Sequence, residues 1–288
     1  LCSFASDDLS RSKKRFLKQA SFFYKNTNIK IYDQNDLFKN FKKKIKKNLF
    51  KENRAFGYGI WKPYIVLDFF KKIPENSVLQ YSDIGCHFNS NGINRFKNYI
   101  KFANKYKSLV FEYDGKNLGK NNVDLHFQKY FEFQYSKKDL LKYFNYEKNS
   151  KILNSPQIWS GSFFLKKTLR NKIILKNWLN VMKKNHLIDG TKSKSPEDLG
   201  FVESRWDQSV FSILSKKNKF FKLSTSECEW AENGKRRIWY HLENYPIIAR
   251  RDLKRNVLTR FKEILEERIM RKILAAVIVF FIVVGFPE

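Results

Sequence analysis

Three short stretches carry side chains with chemistry in them. "YSDIG", residues 81–85, ends an apolar run on Asp83 beside Gly85. "GYGIWKP", residues 57–63, sets Tyr58, Trp61 and Lys62 among two glycines and a proline. "ESRWDQS", residues 203–209, holds Asp207 and Gln208. Each has an ordinary reading. Asp-x-Gly is turn chemistry, Asp207 suits a helix N-cap, Tyr58 and Trp61 suit a core, and Lys62 suits solvent. Cys86 and His87 read as packing and loop residues. Against that, an acid at the carboxyl end of a strand in an α/β sheet stands where such sheets bind ligands. A cap at a cleft also presents its neighbour, here Gln208.

Several chemistries are excluded by pattern. No G-x-S-x-G elbow occurs, and "WSGSF" has the wrong spacing for one. No phosphate-binding GxxxxGK[ST] loop is present, and "FGYG" alone is too weak for a dinucleotide fingerprint. The four His form no HxxxH or HExxH pair, and Cys2, Cys86 and Cys228 form no CxxC. Such cysteine usage fits a reducing compartment. The net charge of +29 attracts phosphates, nucleic acid or an anionic membrane. Lys greatly exceeds Arg, and Asn, Ile, Tyr and Phe are abundant, as AT-rich codons would give. Much of the charge is therefore expected on solvated surface.

The elements that must position these residues follow from periodicity. "LCSFA" reads as a strand, residues 9–25 as a helix, "IKIYD" as a second strand, and residues 34–53 as a basic amphipathic helix through Leu37, Phe41, Ile45 and Leu49. A helix from Pro63 to about Phe70 leads to a third strand ending at Asp83. A loop and helix, a fourth strand "SLVFEY" and a turn come next. "KYFEFQYSKKDLLKYF" is expected to pass from strand to helix through a Ser136-x-x-Asp139 cap. "SPQIWSGSFFLKKT" is a core strand, and "LRNKIILKNWLNVMKKN" and "DQSVFSILSKK" are helices. The long polar connection between those helices is expected to be functional or mobile. The pattern predicts an α/β domain with a mostly parallel central sheet flanked by helices.

That domain is expected over residues 1–251. Residues 252–288 are expected to form a basic helix and a short apolar tail. The tail, Ile273–Phe286, is ~21 Å long as a helix, short for a span. With Arg250, Arg251, Lys254, Arg255 and Arg260 nearby, it predicts shallow membrane association, the domain lying on the cytoplasmic side. The chain opens on Leu1, and residues upstream are expected.

In order and spacing, "GYGIWKPYI", "YSDIGC" and "ESRWDQS" resemble a bacterial and viral group of GT-A fold glycosyltransferases, the nucleotide-diphospho-sugar transferase superfamily. Members of that group carry "GYGYWIWKP", "YLDAGC" and "EHRHDQS". The resemblance runs from the first strand to about Arg251. It implies a GT-A-like sheet and transfer of a sugar from a nucleoside diphosphate to a glycan or lipid-linked acceptor, in surface polysaccharide assembly. By the resemblance Asp83 marks a metal and diphosphate site, with Mn²⁺ or Mg²⁺ stabilising the leaving group. The second acid of the usual DxD is missing here, and His241 is the candidate remote ligand. Tyr58, Trp61, Lys62, Asp83 and Gly85 would form the donor side, Lys62 pairing with phosphate. Asp207 and Gln208 would face the transferred sugar. Two other classes stay open from sequence: a non-catalytic basic protein of the membrane surface, and a nucleic-acid-binding module.

Overall fold

The computed structural model describes residues 1–24, 29–37, 57–119 and 124–250. The basic helix expected over residues 34–53 lies mostly outside these residues, and the expected C-terminal helix and apolar tail lie wholly outside them. Leu1–Arg250 forms one compact unit. Among the described residues, no helix is long and apolar enough to cross a membrane.

The apolar runs become strands. They are β1 (Cys2–Phe4), β2 (Lys30–Tyr32), β3 (Val78–Ser82), β4 (His87–Phe88), β5 (Ser108–Glu112), β6 (His126–Phe127), β7 (Ile158–Lys166), β8 (Lys222–Ser224), β9 (Ala231–Asn233), β10 (Arg236–Ile238) and β11 (Ile247–Ile248). Six of them make the central sheet, in the order β2-β1-β3-β7-β5-β8. Within it, β1 pairs in parallel with β2 and β3, and β5 with β8, whereas β7 runs antiparallel to both β3 and β5. The sheet is thus mostly parallel, as expected, with β7 reversed in its middle. Two small ladders, β10-β9-β6 and β11-β4, stand outside it.

The longer helices are α1 (Ser10–Ala20), α2 (Trp61–Lys72), α3 (Ile93–Tyr106), α7 (Leu169–Met182) and α8 (Asp207–Lys217). Three short ones, α4 (Glu132–Tyr135), α5 (Lys138–Tyr143) and α6 (Ser150–Leu153), fill the connection from β6 to β7. Side-chain alternation along the strands divides the apolar core into two layers. One joins Leu79, Tyr81 and Phe163 to Phe70 of α2, Trp178 of α7 and Phe211 of α8. The other joins Leu109, Phe111 and Phe164 to Phe16 of α1 and Phe96 and Tyr99 of α3. Helices on both faces of the sheet give the expected α/β layers.

Two local expectations change. Residues 129–135 are not a strand: their ladder contacts are the isolated bridges Lys129–Asp114 and Phe131–Pro156, and the backbone N–H of Phe131 donates to Gln134 Oε1 at 2.9 Å. Ser136-x-x-Asp139 is not a cap either. The Ser136 hydroxyl donates to the buried Glu132 carboxylate at 2.6 Å, while Asp139 Oδ2 accepts from the Lys194 backbone N–H at 2.9 Å. A carboxylate with no solvent exposure demands partners, and Glu132 takes Ser136, Ser212 and Lys216. The long polar connection is held to α5 and the residue before it. Lys137 Nζ bonds the His186 carbonyl (2.7 Å) and Asp189 Oδ1 (3.0 Å), and Lys138 Nζ bonds Asp198 Oδ1 (2.5 Å).

Candidate functional site

Asp83 directly follows β3, at the carboxyl edge of the sheet. Its backbone N–H donates to the Gly161 carbonyl of β7 at 2.7 Å, which extends the ladder one step. Its own carbonyl accepts from Cys86 N–H at 2.8 Å, closing a turn over Ile84 and Gly85. Arg15 of α1 fixes that turn by donating to the Ile84 and Cys86 carbonyls at 2.8 and 2.7 Å. Asp83 thus opens a turn at the carboxyl edge of the sheet. The Tyr81 hydroxyl donates to Asp83 Oδ1 at 2.6 Å, and the Asp83 side chain stays 43% exposed.

Lys62 lies in the first turn of α2. Pro63 is tolerated beside it because helical N–H groups there lack partners in any case. The amine is not solvated. Lys62 is 4% exposed, and its Nζ lies 2.7 Å from Asp207 Oδ2 and 3.2 Å from Asp83 Oδ1. Ser160 completes the shell, its Oγ 3.2 Å from Nζ and donating to Asp207 Oδ2 at 2.8 Å. The three quoted motifs therefore meet through one ammonium and two carboxylates, which together carry a net charge of −1.

Asp207 is not a helix cap. It is the first residue of α8, no side-chain cap bond forms there, and its carboxylate turns inward to Lys62. Gln208 is also buried; its amide donates to Gln157 Oε1 at 2.7 Å, and its Oε1 is 3.5 Å from the Ser160 N–H. Burial raises the Asp207 carboxyl from its ordinary range, and Lys62 opposes the rise. Burial lowers the Lys62 ammonium, but Asp207 and then Asp83 outweigh it and leave it raised. The two shifts pull the pair in opposite senses. The 2.7 Å contact and the second carboxylate favour the ionised pair.

The backbone around the triad is strained. Gly57, Tyr58 and Gly59 have φ of 87°, 59° and 70°, and Trp206 has φ of 48°. A Cβ on Gly59 would lie 2.5 Å from Asp207 Oδ1, so only glycine lets the carboxylate approach. The Tyr58 and Trp206 rings meet at 5.6 Å. Two non-glycine residues with positive φ thus face each other beside the triad, a clustering typical of ligand sites.

The other singled-out residues are dispersed. Trp61 is 6% exposed and stacks on Phe4 at 4.0 Å, so its ring faces the core. Gly85 sits half-buried in the Asp83 turn. His241 packs edge-on to Phe127 at 5.1 Å, and its Nε2 lies 3.0 Å from the Glu229 carbonyl, which only a protonated Nε2 satisfies. Nδ1 is buried without a partner. Burial pulls the imidazole down to about 4.

No cluster of three His, Cys, Asp or Glu side chains among the described residues could hold a metal ion. The donor set does not fit an all-protein metal cage. The half-exposed Asp83 offers one carboxylate, short of the ligand set such a cage needs.

Ser160 and Gln157 join the cluster although sequence reasoning passed over them. The register between β5 and β7 shifts between Leu109 and Phe111, whose partners are Phe164 and Trp159. On β7 the irregularity lies between Trp159 and Phe164, the stretch that holds Ser160, and bulges often stand beside sites. The glycine between two serines in "WSGSF" was the available signal.

No family model matches the chain, and no curated protein sequence is similar to it. Solved structures with a similar chain trace include a glycosyltransferase involved in the glycosylation of the major capsid of PBCV-1, at 10% identity and TM-score 0.47, covering 91% of this chain and 97% of that one. Mouse xyloside xylosyltransferase 1 is similar at 11% identity and TM-score 0.42, covering 80% and 72%. The galactosyltransferase LgtC, solved with donor and acceptor sugar analogues, is similar at 7% identity and TM-score 0.37, covering 80% and 74%. These three TM-scores lie below 0.5, and the functional reading rests on the site's own geometry.

Proposed function

We propose that the chain is a glycosyltransferase that takes its sugar from a nucleoside diphosphate. One observation carries this reading. Three stretches far apart in sequence, around Lys62, Asp83 and Asp207, converge on one ion-paired cluster at the carboxyl edge of a mostly parallel sheet. A ligand-binding crevice is expected there. The group buried beneath it is polar, fully partnered and held by strained backbone, at a cost that an ordinary core does not bear.

In this reading Asp83 is the acid that meets the donor. Tyr81 and Lys62 fix one of its oxygens and leave the side chain half-exposed. A divalent ion arriving with the donor's phosphates would offset charge on the leaving diphosphate. Lys62 holds the Asp83 and Asp207 carboxylates at fixed separation, and its hydrogen-bonding capacity is taken up by Asp83, Asp207 and Ser160. Lys62 therefore positions carboxylates instead of binding phosphate. Asp207 and Gln208 form the floor below the transferred sugar, with Gln157 and Ser160 setting the Gln208 amide. Tyr58 and Trp206 form an aromatic wall.

The acceptor is a glycan or lipid-linked saccharide. Calorimetric titration of UDP and GDP with Mn²⁺ tests the reading. Saturable binding of one nucleotide, strengthened when its sugar is attached, is expected. Absence of binding by both, with and without Mn²⁺, would overturn it.

A further inference from the structure

A diphosphate needs cationic partners, and the triad has none to give. Its net charge is −1, and its ammonium is already shared among Asp207, Asp83 and Ser160. A second cation stands at the same edge of the sheet. Arg205 precedes Asp207 by two residues, and its guanidinium carbon lies over the rings of Tyr135 at 3.9 Å, Tyr130 at 4.2 Å and Tyr113 at 5.7 Å. A guanidinium has five N–H donors. Among the described residues Arg205 forms no ion pair, and burial raises the Tyr130 hydroxyl while the nearby Arg205 charge opposes the rise. The buried Glu229 carboxylate belongs to the same cluster, but it accepts from the Tyr113 hydroxyl at 3.1 Å.

Hydrogen bonds tie this arginine to the triad. The Arg205 carbonyl accepts from Gln208 N–H at 2.9 Å, and the Gln208 amide donates to Gln157 Oε1 at 2.7 Å. The Gln157 carbonyl accepts from Tyr113 N–H at 2.9 Å, and its own N–H donates to the Tyr130 carbonyl at 2.7 Å. Arg205 N–H donates to the Tyr135 carbonyl at 3.2 Å. Tyr113 directly follows β5, as Asp83 follows β3, and β7 runs between those two strands.

We propose that Arg205, seated on Tyr113, Tyr130 and Tyr135, is the binding site for the diphosphate of the sugar donor. The proposal rests on the reading of the preceding subsection. Planar N–H forks suit phosphate oxygens, stacking on rings fixes the plane, and an arginine without a carboxylate partner keeps its charge for the ligand. Asp83 and Arg205 then divide the work: the acid handles any cation accompanying the donor, and the arginine handles the phosphate oxygens.

The test is calorimetry on the full chain with inorganic pyrophosphate, UDP and GDP, each in EDTA and in Mg²⁺. The variants are Arg205→Met and Arg205→Lys, with thermal melting to confirm folding. Wild type should bind pyrophosphate, and Arg205→Met should weaken it at least about tenfold, the loss expected for a charge-assisted hydrogen bond. Arg205→Lys should lose less, since it keeps the charge without the fork, and supplies the reading should Arg205→Met fail to fold. Pyrophosphate binding that is equal in wild type and both arginine variants, or absent from wild type, overturns the proposal. If Arg205→Met keeps wild-type affinity for UDP or GDP, the arginine site is wrong and the glycosyltransferase reading stands. If pyrophosphate binds through Arg205 but neither nucleotide binds better than pyrophosphate, the phosphate site stands and the donor reading falls.

Discussion

Replacing Lys62 with methionine removes the one positive charge between two acids. Asp83 loses little by this, because its side chain is 43% exposed and water replaces the ammonium. Asp207 loses most, because its side chain is 8% exposed and its other partner is the Ser160 hydroxyl. Stripping one partner from a buried ion pair costs about 3–5 kcal/mol, most of it from the charge left behind. The expected loss for Lys62→Met at pH 7 lies in that range. The sign of its pH dependence follows. Without Lys62 the folded-state pKa of Asp207, already raised by burial, rises further above its unfolded value. The folded state then binds more protons than the unfolded state, so stability increases as pH falls. Urea unfolding at pH 7 and pH 5 reads both effects, with Lys62→Met regaining stability at pH 5. A double variant, Lys62→Met with Asp207→Leu, should recover most of the loss at pH 7, because an apolar pair replaces the ionic one. The reasoning is refuted if Lys62→Met loses less than about 1 kcal/mol and shows no gain on acidification.

Two further outcomes are expected. Gly59→Ala places a Cβ 2.5 Å from Asp207 Oδ1 on a backbone with φ of +70°. It should cost more than the roughly 1–2 kcal/mol of the left-handed penalty alone, read as a lowered melting temperature; an unchanged melt would contradict the packing. His241 has its pKa pulled to about 4 by burial, so the unfolded chain binds the extra proton as pH falls from the ordinary His range toward 4. Stability should drop across that window by on the order of 1–2 kcal/mol, allowing for partial exposure. His241→Gln should flatten the slope, and an unaltered slope would assign the acid sensitivity elsewhere.

Much of the fold was legible because burial and period coincide. The runs at residues 78–82, 108–112 and 158–166 are apolar enough to read as strands, and Phe16, Phe96 and Trp178 mark helix faces. The reversal of β7 was not legible, because a strand buried on both faces carries no sign of its direction. The short helices near Glu132 were missed because a buried carboxylate, not an apolar period, organises them. At the site, Asp83, Asp207 and Gln208 were readable as an ordered set of motifs. The burial of Lys62 was not, since lysine is rarely buried unless paired, and its partners lie 21 and 145 residues away in sequence. Arg205 was hidden for a similar reason: Tyr113, Tyr130 and Tyr135 reach it from a different part of the chain.

The central claim is that Asp83 serves a nucleoside diphosphate donor and not the fold. Its side chain is half-exposed, and Lys62 keeps Asp207 as a counterion without it, so Asp83→Asn should leave the melting temperature close to wild type. The decisive measurement is calorimetric titration of the better-bound of UDP and GDP into wild type and Asp83→Asn, with Mn²⁺ present. At least about a tenfold loss of affinity in the variant is predicted, as for removal of one charged contact. Equal affinity in the two proteins, both folded, would contradict the assignment of Asp83 to the donor.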